Sequence, residues 1–78
     1  MKTVTINRSK IRSEWQAHVT RDVTSGIPYQ VTGTYAAGDY KPNGVEASQD
    51  SVGFIDDAGD TVYVWVDAPG ITVQEVSE

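Results

Sequence analysis

The chain has 78 residues, 38% of them apolar, no cysteine, and a net charge of −5. That length holds one domain with a marginal core that no disulfide or thiolate-bound metal can reinforce. No apolar run approaches the ~20 residues of a membrane helix, and MKTVTINRSK lacks the apolar segment of a secretory signal, so a cytoplasmic protein is expected.

Thr3 to Asn7 alternates, with Val4 and Ile6 on one side, and reads as a first strand. Trp15 to Val23 places Trp15, Ala17, Val19 and Val23 at two-residue spacing. Thr24, Ser25 and Gly26 follow as a turn, and Ile27 to Tyr35 alternates again. This predicts a hairpin pairing Val23 with Ile27, Val19 with Val31, Ala17 with Gly33 and Trp15 with Tyr35. Arg21 would then cover Tyr29, and Pro28, lacking an N–H, would mark an edge or an irregular strand start. A helix at about residues 9–19 is the alternative, since Ile11, Trp15 and Val19 also recur every four residues and Ser9 could cap it.

Ala36 to Gly44 is rich in turn residues and is the longest irregular segment, with Val45 to Asp50 as a weak strand after it. A second hairpin joins Val52–Ile55 to Thr61–Val66 through Asp57-Ala58-Gly59. Its register pairs Phe54 with Val62, Gly53 with Tyr63 and Val52 with Val64. Val62, Val64 and Val66 would face the core, leaving Tyr63 and Trp65 on the other side. Ala68-Pro69-Gly70-Ile71 fits a type II turn leading into a last strand, Ile71 to Val76.

The fold class expected is all-β: one domain over residues 1–78, a small antiparallel sandwich or partly open barrel of five or six short strands. The alternative is an α+β fold with the helix at 9–19. The expected core is Val4, Ile6, Ala17, Val19, Val31, Phe54, Val62, Val64 and Val73.

Charge is divided along the chain. All six basic residues lie within residues 1–41 against three acidic ones, while residues 42–78 carry eight carboxylates and no basic side chain. Such polarity bears on partners more than on chemistry. The sole histidine, His18, has no cysteine or second histidine with which to complete a metal shell, and it reads as a surface residue rather than a catalytic base. Asp56, Asp57 and Asp60 are explained by a tight turn, and IDDAGDT lacks the ligand spacing of a calcium loop. The dispersed glycines carry no phosphate-binding motif. No catalytic residue, metal or cofactor is therefore expected, and the chain reads as no enzyme.

Arg8, Lys10, Arg12 and Arg21 accompany Trp15, Tyr29 and Tyr35, the ingredients of a single-stranded nucleic-acid groove. Those aromatics fall on the face expected to be buried, however, and the whole chain is acidic, so direct nucleic-acid binding is disfavoured.

The stretch VTGTYAAGDYKPNGVEAS (Val31 to Ser48) resembles small phage and prophage accessory proteins, a class that includes anti-CRISPR proteins, other inhibitors of host defence and minor virion components. The resemblance implies an origin and a binding role, and it carries no mapped site. The function expected is a non-enzymatic protein-binding module, of phage type, that modulates a host protein, such as a nucleic-acid-binding one, through an acidic surface. The residues expected to carry it are Asp56, Asp57, Asp60, Tyr63 and Trp65, with Tyr40 in the long loop. A self-assembling virion subunit, a homo-oligomer joined through Tyr63 and Trp65, is the rival reading.

Overall fold

The computed structural model describes residues 1–76. Its strands are β1 (Lys2–Ile6), β2 (Pro28–Tyr35), β3 (Ser51–Ile55), β4 (Thr61–Trp65) and β5 (Ile71–Glu75), all antiparallel in one sheet of order β4-β3-β2-β1-β5. The all-β class expected from the sequence is what is found. The sheet is not closed, since β4 and β5 lie at its two ends unpaired with each other. No described helix is long and apolar enough to cross a membrane.

β2 joins the two halves of the sheet. Its first residues pair with β1, through Thr5–Pro28, Val4–Tyr29 and Thr3–Gln30, and its later ones pair with β3. A register shift between Val31 and Gly33 marks the change of partner, as a bulge does where a strand bends. Pro28 sits first in its strand, where a missing N–H costs no ladder bond.

The hairpin of β3 and β4 has the expected register: Val52–Val64, Gly53–Tyr63 and Phe54–Val62 are paired. Alternation then sends Val52, Phe54, Val62 and Val64 into one core with Val4, Ile6, Ile11, Val23 and Tyr29. Phe54 is fully buried and packs its ring 5.1 Å from that of Tyr29. The final turn is also as expected, with Ile71 N–H donating to Ala68 C=O at 3.1 Å and Gly70 at φ 84°. A Cβ at Gly70 would lie 2.6 Å from the Asn7 carbonyl oxygen, so this turn needs glycine both for its backbone and for its neighbour.

The first expected hairpin does not form. Residues 15–23 contain no strand; instead a short helix, α1 (Ser13–Ala17), follows a 3₁₀ turn at Arg8–Lys10. The helix lies inside the alternative window of 9–19 but is much shorter. Ser9 does not cap it; rather, Asn7 Oδ1 accepts hydrogen bonds from the Ser9 N–H and hydroxyl and so caps the 3₁₀ turn. β2 already has β1 and β3 on its two sides, so no edge remains for a strand at 15–23. The four-residue spacing prevails, with Ile11 buried and Trp15 and Val19 packed against the core. Ala17, expected inside, is exposed, while Val31 and Val73 are half-buried at the core's margin. Tyr29 packs on Phe54 and not under Arg21, which pairs instead with Asp22 at 3.6 Å.

The weak strand expected at Val45–Asp50 is likewise absent. That segment belongs to a folded loop held by Gly38 N–H to Ala47 C=O at 2.8 Å and Ala47 N–H to Asp39 C=O at 2.7 Å, with Ala47 buried and one bridge between Tyr40 and Glu46.

Candidate functional site: the covered edge of the sheet

The long connection between β1 and β2, residues 7–27, runs beside the edge strand β4. Near its start, Gln16 Nε2 donates to the Ile11 carbonyl at 2.7 Å and Arg8 donates to the Gln16 carbonyl at 3.3 Å, which ties the helix back onto the 3₁₀ turn. Thr20, fully buried, then closes the helix by donating both its N–H (2.8 Å) and its hydroxyl (3.2 Å) to the Trp15 carbonyl. These bonds fix the indole of Trp15 against Trp65, with ring centroids 5.1 Å apart and planes at 79°. An edge-to-face pair of this kind places one ring's positive rim on the other's negative face.

The two indoles border a cleft of about 340 Å³. Ile11, Ala68 and Pro69 supply further apolar wall, while Arg12, Gln49 and Asp67 stand at its border. Three separate segments of the chain, 11–15, 49 and 65–69, converge here. The combination of an aromatic wall with a few polar groups suits a ligand's apolar side chain and leaves hydrogen-bonding and charge to orient it.

At the other end of β4 the connection meets the β3–β4 turn. Asp57 accepts from the Thr24 hydroxyl at 2.6 Å and from the Tyr29 hydroxyl at 2.8 Å, and its N–H donates to the Asp22 carbonyl at 3.0 Å. The Tyr29 oxygen in turn accepts from Thr24 N–H at 2.8 Å. The Thr24 bond and then the Tyr29 bond hold the Asp57 carboxyl below its ordinary pKa, because each favours the charged acceptor. Asp56 organises the turn itself, its Oδ1 accepting from Ala58 N–H at 3.0 Å and Asp60 N–H at 2.9 Å. Asp22, Asp56 and Asp60 each offer a carboxylate oxygen to a group lying within 4.8 Å of one another. They border a shallow depression of about 330 Å³ together with His18, Arg21, Lys41 and Tyr63.

The six residues singled out from the sequence thus occupy different settings. Asp56 and Asp60 lie together, joined by Asp22, which sequence reasoning missed. Asp57 beside them is engaged in holding the connection. Trp65 belongs to the aromatic cleft. Tyr63 lies on the outer face of the sheet, its ring 5.8 Å from that of Tyr35 and with the Lys41 ammonium 5.2 Å away. Facing Gly33 and Gly53 leave room for this pair, since a Cβ at Gly53 would press on the Tyr63 ring at 3.1 Å. Tyr40 is 71% exposed in the long loop. Trp15 was also missed as a site residue, because strand alternation placed it inside. Its four-residue spacing from Ile11 and Val19 was the available signal.

Comparison with protein-family models, with curated proteins and with solved structures finds no match to this chain.

Proposed function

We propose that this chain is a non-enzymatic protein-binding module that grips its partner along the β4 side of the sheet. The observation that carries the reading is the Trp15–Trp65 cleft at one end of β4, with the Asp22, Asp56 and Asp60 carboxylates at the other. Five residues of strand separate the two, about 17 Å at ordinary strand rise. A partner presenting an apolar or aromatic side chain and, that distance away, one or more lysines or arginines would meet both. The indole cleft supplies contact area, and the carboxylates supply orientation and a salt-sensitive rate of encounter. The likeness of Val31–Ser48 to phage accessory proteins makes a host protein the first partner to seek, with inhibition by occupancy as the mode of action.

Both tryptophans of the chain border the cleft, so their fluorescence reports on its occupation directly. Pull-down from a bacterial lysate, followed by titration of the captured protein, is the test. Trp65→Ala should abolish capture, and Asp56→Asn with Asp60→Asn should weaken it and reduce its dependence on salt. A captured partner whose affinity ignores all three substitutions, and which leaves the fluorescence unchanged, rules the reading out.

A further inference from the structure

The opposite edge of the sheet, β5, offers a second interaction surface. Asn7 N–H donates to Gly70 C=O at 2.7 Å, and Val76 N–H donates to Met1 C=O at 2.7 Å. Six residues separate these two positions on each strand, so by alternation Thr72 and Gln74 also direct their main-chain groups toward β1. Ile71, Val73 and Glu75 direct theirs away from the sheet. Of these, Ile71 N–H is taken by Ala68 C=O. Among the described residues, no hydrogen bond occupies the outward N–H and C=O groups of Val73 or the outward N–H of Glu75. The strand carries no proline, lysine or bulge, three of the devices that ordinarily discourage edge pairing, although it is short and ends in Glu75.

We propose that β5 pairs with β5 of a second copy of this chain, antiparallel about a two-fold axis through Val73. This register brings Val73 against its own counterpart and Ile71 against Glu75, and it alone uses all three outward-facing residues of the strand. Four main-chain hydrogen bonds form: each Val73 N–H donates to the other Val73 carbonyl, and each Glu75 N–H donates to the other Ile71 carbonyl. The Ile71 N–H, already bonded, is not required.

Charge argues against the neighbouring register with its axis at Gln74. The two Glu75 carboxylates lie four residues apart along the paired strands, about 14 Å, which exceeds the ~8 Å screening length at physiological salt. A shift of the axis to Gln74 would halve that separation and lose the Ile71 pairing. Ile71 and Val73, half-buried beside Ile6 and Val4, would be covered by the second copy, and the two sheets would become one of ten strands. The edge strand β4 also directs the main-chain groups of Tyr63 outward, but Val19 and Asp22 of the long connection lie beside it.

One five-residue strand against another is a small interface, beneath the ~1,200 Å² of a stable complex, so the dissociation constant should be on the order of 100 µM. Sedimentation equilibrium of the full chain should show the mass rising from monomer toward dimer across that range. Val73→Lys, which sets two ammonium groups face to face at the axis, should raise the dissociation constant at least about tenfold. Its circular dichroism and melting curve check that the monomer still folds. A second variant avoids that dependence: with no native cysteine, Val73→Cys should cross-link to itself under mild oxidation, since directly paired Cα atoms about 5.5 Å apart suit a disulfide. Ile55→Cys, exposed but far from the axis, should cross-link much less. The proposal is overturned by a monomeric mass up to about 1 mM, by a dimer indifferent to Val73→Lys, or by equal cross-linking at both cysteines.

Discussion

The two ends of this sheet are built oppositely. Beside β4 runs part of the connection 7–27, which brings an indole to Trp65, a buried threonine to the helix end and the Thr24 hydroxyl to Asp57. Beside β5, among the described residues, no further strand pairs. A small sheet has two edges to protect, and covering one with an irregular segment creates concave surface where that segment meets the strand. The aromatic cleft and the carboxylate group arise along that seam. The β5 edge offers, among the described residues, main-chain groups that suit another strand.

The comparison can be broken most forcefully at Trp15. Trp15→Ala removes the ring that joins the covering segment to Trp65 and to the core, and the loss should be about 3 kcal/mol in urea unfolding. Thr72→Ala on the open edge, where the side chain is exposed, should stay within about 0.5 kcal/mol. Comparable losses at the two positions would mean that the covering segment is not integral to the fold. Next comes the turn that leads from one edge to the other. Gly70→Ala forces a side chain into a left-handed backbone conformation and against the Asn7 carbonyl, at a cost of about 2 kcal/mol by the same measurement.

The two edges also differed in how far the sequence disclosed them. The β3–β4 hairpin was legible because every relation that builds it is local: alternation in SVGFI and TVYVW, and an aspartate-rich turn with glycine third. Residues 15–23 carried equally good alternation and a similar turn, yet β2 takes β1 and β3 as its neighbours, and those pairings span distances along the chain that no local pattern records. Trp15 and Val19 satisfy both the two-residue and the four-residue period. Only Ile11, buried outside the alternating run, decides between them. For the site, Trp65 and the turn aspartates could be singled out as residue types in place. The arrival of Trp15, Asp22 and Thr24 beside them depends on the path of the covering segment, and that of Tyr29 on the pairing of β2. Asp57 shows the consequence: read as one of three turn residues, it is the acceptor of two hydroxyls from 28 and 33 residues away.

That acceptor gives the covered edge a dependence on pH. Tyr29→Phe removes one of the two donors and should cost about 1 kcal/mol near neutral pH. The sign of the acid effect follows from the lowered pKa of Asp57. Its contribution is complete above the ordinary value of 3.8 and disappears as pH falls through the lower folded value, because the protonated carboxyl is a poorer acceptor for both hydroxyls. Asp57→Asn should therefore be less stable than the parent at neutral pH and show a shallower decline between about pH 5 and pH 2. Equal slopes for the two proteins in acid would show that these bonds do not secure the covering segment.

The smallest effect expected distinguishes charge held for folding from charge held for a partner. Asp60 makes no side-chain hydrogen bond among the described residues, whereas Asp56 accepts two. Neutralising Asp60 thus removes repulsion from Asp22 and Asp56 without removing a bond, and Asp60→Asn should gain a few tenths of a kcal/mol. The gain should vanish near 1 M salt, where the screening length falls to about 3 Å. At the open edge Glu75 faces the Met1 ammonium at 3.3 Å, so Glu75→Gln should be neutral or slightly destabilising. Opposite signs at the two positions would identify the carboxylates beside β4 as charge that the fold tolerates rather than requires, which is the condition expected of a surface kept for binding. A loss on Asp60→Asn would instead assign that charge to the turn.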